Sequence, residues 1–166
     1  MYVKAPVSEG VADGSITISD LPNKDTKETN VILAAIQSLE KRSFPSSESL
    51  SIKAEASKRN AHVVYAQTPS SAIIGYLLYI STSNNMRIHK VCVAEAFRRH
   101  KIATRMITRV CVVAEKMGKE IDLWVDEARI PARGCYAACG FREVGPVVMD
   151  YYGPGRNGIR MVWSSQ

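Results

Sequence analysis

The chain has 166 residues, is 46% hydrophobic and carries a formal net charge of +6, which is enough for one domain with a core of its own. No apolar run approaches the roughly 20 residues of a transmembrane helix. The opening M-Y-V-K-A-P-V-S-E-G lacks the apolar centre of a secretory signal, so a membrane protein is not expected and the cytosol, with or without the nucleus, is the expected compartment. The basic balance favours a polyanionic or acidic partner, but it is not gathered into the block that would select nucleic acid.

Residues 1–14 are expected to be a loose leader ahead of a domain spanning residues 15–163. Residues 15–19, S-I-T-I-S, alternate as a strand should. Asp25 with Glu28 three positions later has the form of a capping box, and Ile32, Ile36 and Leu39 follow at helical spacing. That helix ends near Arg42. Pro45 breaks it, and the serines of S-F-P-S-S-E-S-L cap a second, shorter helix to about Asn60. His62–Gln67 and Ile73–Ile80 form a hairpin across T-P-S-S. Met86–Val93 is the next strand and leads through a basic turn into a long helix. Ile102, Met106, Val110, Val113 and Met117 line one face of that helix, and Gly118 stops it. Ile121–Val125 is another strand. Residues 131–139 follow as a helix with Pro131 in its first turn, ending before Gly140. Glu143–Tyr152 and Gly158–Trp163 close the chain as a hairpin around G-P-G-R-N. The order β-α-α-β-β-β-α-β-α-β-β implies a single α/β layered domain.

Four cysteines, at 92, 111, 135 and 139, include no C-x-x-C pair. With histidines only at 62, 89 and 100, a structural metal site is not expected. The stretch V-C-V-A-E-A-F-R-R-H-K-I-A-T is the most informative in the chain. A strand that opens into a helix behind a basic turn offers free backbone N–H groups and a positive dipole end to an anion.

Arg98, Arg99, His100, Lys101, Ile102 and Ala103 resemble motif A of the GCN5-related N-acetyltransferases, with Lys101 where that family has its first glycine. Tyr136 followed four residues later by Gly140-Phe141 resembles a second motif of the family. The element order is also that of the family. The resemblance implies the acyl-CoA N-acyltransferase fold, with a mixed central sheet and helices on both faces. It implies acetyl-CoA as cosubstrate, no metal, and transfer of the acetyl group to a primary amine by direct attack in a ternary complex. The amides of Arg99, His100, Lys101, Ile102, Ala103 and Thr104, with Arg98 ahead of them, would hold the pyrophosphate. The edge at Val91, Cys92 and Val93 would pair with the pantetheine arm.

By the same resemblance Tyr136 protonates the departing thiolate, a step that a weak acid in an apolar slot assists. The base is less plain. The family's usual position on the fifth strand is Trp124, which cannot serve. His89 lies four residues before Val93, on the face expected for Val91 and Val93, and an imidazole suits proton removal near neutral pH. Arg129 stands where the family often has an asparagine. Phe44 in S-F-P-S-S and Tyr151-Tyr152 near the last turn resemble the acceptor slot of ribosomal-protein N-terminal acetyltransferases, with Trp124 beside them. His89 resembles a position in arylalkylamine acetyltransferases. A peptide or protein N-terminus, a lysine or a small (aryl)alkylamine is therefore the expected acceptor, in a monomer or homodimer. The alternative, which Lys101, Arg129 and Trp124 favour, is a degenerate member that binds CoA as a sensor or interaction module.

Overall fold

The structure, a computed structural model, describes residues 15–22 and 26–165. A seven-stranded sheet runs through it in the order β1-β2-β3-β4-β5-β7-β6. Its strands are β1 (Thr17–Asp20), β2 (Ala61–Gln67), β3 (Ile73–Ser81), β4 (Asn85–Val93), β5 (Glu120–Asp126), β6 (Arg142–Glu143) and β7 (Gly158–Trp163). Four helices join them: α1 (Lys27–Ser43), α2 (Ile52–Ser57), α3 (Ile102–Met117) and α4 (Ile130–Ala138). Neighbouring strands are antiparallel except β4 and β5, which run parallel. No helix among the described residues is long and apolar enough to cross a membrane.

Each face of the sheet has its own core. On one, α3 buries Ile102, Met106, Ile107, Val110 and Ala114 against Leu77, Ile88, Ile121 and Leu123. On the other, α1 and α2 bury Ile36, Leu39 and Ile52 against Val63, Tyr76 and Leu78. The spacing of these residues on each helix produces one apolar stripe, but on α3 the expected Met117 is exposed and Val113 half-buried, while Ile107 and Ala114 lie in the core. Gly75 on β3 allows α3 close access to the sheet: a Cβ there would stand 3.1 Å from the Cys92 carbonyl and 3.3 Å from the Met106 methyl.

Three sequence expectations change at element ends. Thr26 caps α1, its hydroxyl accepting the Thr29 N–H at 3.1 Å; the expected cap, Asp25, lies outside the described residues. α2 stops at Ser57 rather than near Asn60. Its start is fixed by Gln37 of α1, whose Oε1 accepts the Ile52 N–H at 2.8 Å, rather than by a serine hydroxyl. The expected strand Glu143–Tyr152 does not form as such. β6 has two residues, because Gly145 turns at φ +79° and Pro146 supplies no N–H. One bridge, Val148 to Gly158, rejoins the sheet, and the chain from Asp150 to Gly155 is a turn.

β4 carries the irregularity that shapes the molecule. Its register with β3 passes from Leu78–Lys90 to Tyr79–Ile88, leaving His89 as a bulge. A bulge bends its strand and sharpens the twist. β4 and β5 pair only at Asn85–Glu120, Met86–Ile121 and Arg87–Asp122. From His89 onward the two strands part.

A buried carboxylate secures the face beside this opening. Glu40 of α1 is 0% exposed. Its Oε1 accepts the Lys90 ammonium at 2.5 Å and the Leu50 N–H at 2.9 Å, and its other oxygen accepts the Tyr76 hydroxyl. One side chain thus joins α1, the α1–α2 loop, β3 and β4. Breaking a buried pair leaves an uncompensated charge, so Glu40→Gln should cost about 3–5 kcal/mol. The measurement is the urea midpoint at constant m-value; a loss below about 1 kcal/mol would show that this pair does not hold the face together.

Candidate active site

The turn after β4 is built from unusual backbone. Glu95–Phe97 make a single 3-10 turn, and then Arg99 (φ +68°) and Lys101 (φ +55°) both adopt the left-handed conformation. Residues in that conformation turn successive N–H groups toward a common centre. No side chain caps α3, and its first helical bond runs from the Arg105 N–H to the Lys101 carbonyl at 2.9 Å. The amides of Ile102, Ala103 and Thr104 therefore face outward without helical partners. Arg98, Arg99, His100 and Lys101 are exposed around them, while the Ile102 side chain is in the core. The expected residues 98–104 thus come together in one turn, with unpartnered amides and basic side chains at its surface. Lys101 occupies the glycine position of the motif by accepting the glycine conformation.

This turn is the end of the opened strand. The Ala94 N–H donates to the Ile74 carbonyl at 2.8 Å, toward β3. Backbone groups alternate along a strand, so Cys92 also faces β3, while Val91 and Val93 turn their N–H and C=O groups to the gap, where the Val93 carbonyl accepts the Arg98 Nε–H at 3.2 Å. Cys92 is out of phase with that edge: it pairs with Tyr76, and its side chain is 5% exposed, packed on the α1 side.

α4 bounds the far side of the opening. Tyr136 packs its ring on Phe141, centroids 5.8 Å apart, and its hydroxyl makes no hydrogen bond among the described residues. Desolvation, with Cys135 and Tyr152 adding, raises its pKa against the opposing effect of Arg129, so the phenol keeps its proton. Cys135 lies 3.7 Å from the Thr104 hydroxyl, and its hydrogen bond with Cys139 holds its pKa below the ordinary thiol range.

His89 is not where strand alternation puts it. Ile88 lies in the α3-side core and Lys90 reaches Glu40 on the α1 side. The bulge puts His89 with Lys90 and Arg87 on that α1–α2 face rather than with Val91 and Val93. It is exposed, and its pKa is lowered, first by desolvation and then by Lys58, Lys90 and Arg87 against the pull of Glu55. The imidazole is neutral near pH 7.

The same face gathers the other expected residues. Trp124 of β5 stacks on Tyr151, centroids 4.3 Å apart at 13°, and Tyr151 meets Tyr152 edge-on at 4.9 Å. Phe44 stands across from them, its ring 3.7 Å from the Lys90 ammonium and 5.9 Å from the Arg129 guanidinium.

Sequence reading missed the charges that hold these rings. Glu48 of the α1–α2 loop accepts Arg129 at 2.8 Å and Arg156 at 2.6 Å. Arg156 also reaches Asp126 at 2.9 Å. Desolvation works to raise the Glu48 pKa, but the two guanidiniums outweigh it and hold the pKa down. Asp122, 2% exposed, lies between Arg87 and Arg160. Desolvation is again outweighed, and its pKa is low. A carboxylate so paired is a poor proton acceptor. Among the described residues there is no group of three or more His, Cys, Asp or Glu able to hold a metal.

The opened strand pair leads to the unpartnered amides at the start of α3, and α4 with its protonated phenol packs beside that helix. Residues 33–141 match the Acetyltransferase (GNAT) family, and the chain belongs to that family. As a member it is an N-acetyltransferase that draws on acetyl-CoA. The ribosomal-protein-S18-alanine N-acetyltransferase from Escherichia coli has the same fold, with a TM-score of 0.73 at 18% identity over 90% of this chain and 93% of that one. An aminoglycoside 6'-N-acetyltransferase complexed with coenzyme A follows at 0.72 and 16% over 89% and 96%. The spermidine/spermine N-acetyltransferase from Vibrio cholerae gives 0.67 and 17% over 92% and 94%. No curated protein sequence matches the chain.

Left-handed backbone is costly for any residue with a Cβ. Lys101→Gly should therefore stabilise the protein by about 0.5–1 kcal/mol, read as a rise in Tm. Because the cradle is made of amides, CoA affinity by calorimetry should stay within about threefold. A larger loss would make the Lys101 ammonium itself a phosphate partner.

Proposed function

We propose that the protein acetylates the primary amine of a peptide or protein, or of a small amine, by direct attack within a ternary complex. The observation that carries this reading is the parting of β4 and β5 beyond Arg87 and Asp122. It leaves the Val91 and Val93 amides facing the gap, with the cradle at one end and Tyr136 across from them. The pantetheine arm pairs with that edge, and one edge N–H polarises the thioester carbonyl. The amine enters from the α1–α2 face, between Phe44 and the Trp124–Tyr151 stack.

His89, brought to this face by the bulge, takes the proton of the attacking amine, directly or through one water. The nitrogen bonds to the carbonyl carbon. The tetrahedral intermediate then collapses, the carbon–sulfur bond breaks, and the thiolate of CoA takes the Tyr136 proton. The amide nitrogen and the acetyl carbon remain joined, and no metal or acyl-enzyme is needed. The aromatic slot, bounded by two loops, supports a peptide acceptor over a free small amine, and the cytosol is the compartment that fits acetyl-CoA as donor.

The deciding experiment is thiol release from acetyl-CoA against pooled peptides and amines, beside calorimetric titration of the cosubstrate. Thiol release with one class names the acceptor. CoA binding without release from any pool would instead favour the sensor.

Two variants test the roles. Tyr136→Phe should lower kcat by about 10²-fold while CoA affinity stays unchanged. Equal turnover would remove Tyr136 from the acid role. His89 must be neutral to act, and its pKa is shifted downward. The acid limb of kcat/KM should therefore fall below the ordinary histidine range, with activity lost as pH drops through it. His89→Ala should abolish that limb, and an unaltered profile would assign the proton to another acceptor.

A further inference from the structure

The steps above leave one cluster on the acceptor face unused. Asp122 accepts Arg87 through both oxygens, Nε at 2.8 Å and Nη2 at 2.6 Å. Its Oδ2 also accepts Arg160, from Nη2 at 3.1 Å and Nε at 3.3 Å. Two guanidiniums thus share one carboxylate, a local excess of one positive charge. The carboxylate is 3% exposed at its side chain, but the arginines remain 49% and 41% exposed. Asp122 occupies only one edge of each guanidinium, so most of their N–H donors have no partner among the described residues. A single arginine would satisfy Asp122; the second adds donors and charge directed at something else.

Position supplies the direction. Arg160 sits opposite Trp124 in the β5–β7 register. Arg87 lies two residues before His89, near enough to help lower its pKa, and Tyr151 is near enough to Arg87 to add to the raising of the arginine's pKa. The pair therefore lies on the same face of the sheet as the Trp124–Tyr151 stack and next to it in register. Arg87 to Val91 spans the three steps from Ile80 to Leu77 on β3, because His89 is bulged out, and a strand rises about 3.3 Å per residue, so the Arg87 backbone is roughly 10 Å from Val91, and the long side chain covers part of that distance. One or two residues of extended peptide span what remains.

We propose that Arg87 and Arg160 form a carboxylate pocket for the acceptor, so that the enzyme prefers amines bearing an acidic group one or two residues from the reacting nitrogen. This rests on the transferase reading above. Asp122 orients both guanidiniums, and the acceptor carboxylate completes the cluster as a second anion between two cations. A planar, bidentate donor set matches a carboxylate in a way an ammonium does not.

The test is a ratio. Two peptides differing only in Glu or Gln at the second position are compared at saturating acetyl-CoA, beside two small amines of one skeleton with and without a terminal carboxylate. The wild-type protein should favour the acidic member by about tenfold or more in kcat/KM, mainly through KM. Arg87→Gln and Arg160→Gln should each reduce that preference to within about twofold, and Arg87→Lys should fall between. Each ratio is taken on one preparation, so partial loss of folded protein cancels. Equal use of acidic and neutral acceptors by the wild type would overturn the pocket and leave the transferase standing. Release from none of the four would overturn both.

Discussion

The site depends on two parallel strands ceasing to bond. β4 and β5 share three residue pairs and then diverge at the bulge on His89. An unpaired strand edge inside a domain is normally a liability, because each exposed amide and carbonyl lacks a partner. In the proposed reaction the edge is the binding surface. A ligand arm rich in amides would satisfy groups that β5 leaves open, and the same strand would lead that arm to the turn at the start of α3. The bulge therefore does two things with one extra residue. It stands where β4 leaves β5, and it sets His89 on the α1–α2 face, from which the proposed acceptor would come.

Charge pairing organises that acceptor face more than apolar packing does. Glu48 joins the α1–α2 loop to Arg129 ahead of α4 and to Arg156 ahead of β7. Glu40 anchors the same loop from below through Lys90 and the Leu50 amide. Surface ion pairs contribute little singly, but these carboxylates are each held by more than one donor. Their value lies in fixing where the loops stand. Phe44 has two cations near its ring, Lys90 and Arg129, and such contacts strengthen as water is excluded. An acceptor that fills the slot would therefore tighten the walls that bind it.

Elements set by local pattern were legible in the sequence. The strand, basic turn and amphipathic helix from Val91 to Met117, and the Tyr136–Gly140–Phe141 helix end, rest on spacing within a few residues. What depends on one residue out of phase was not. Alternation along β4 assigns His89 to the wrong face, because a bulge shifts every side chain beyond it without any mark in the pattern. The β6 segment failed for a local reason that was available: Gly145-Pro146 interrupts an otherwise strand-like run. The ion pairs of Glu48 with Arg156, 108 residues apart, and of Asp122 with Arg87 and Arg160 had no signal at all. They follow from topology, which sets β7 beside β5 and brings two distant loops together.

The base and the carboxylate pocket are electrostatically one system. Arg87, Lys58 and Lys90 are among the groups that hold the His89 pKa down. In the empty site this makes the imidazole neutral and so available, but a weaker base. A carboxylate bound at Arg87 would offset part of that positive field and raise the His89 pKa toward its ordinary value. The proton from the amine would then pass to a stronger acceptor only when an acidic substrate is in place. Such a coupling separates kcat from kcat/KM, since the former reports pKa values in the complex and the latter those of the free enzyme. The acid limb should stand at higher pH in kcat than in kcat/KM for an acidic acceptor, and at the same pH for a neutral one. Recognition of the acceptor and activation of its amine would then be the work of the same arginine.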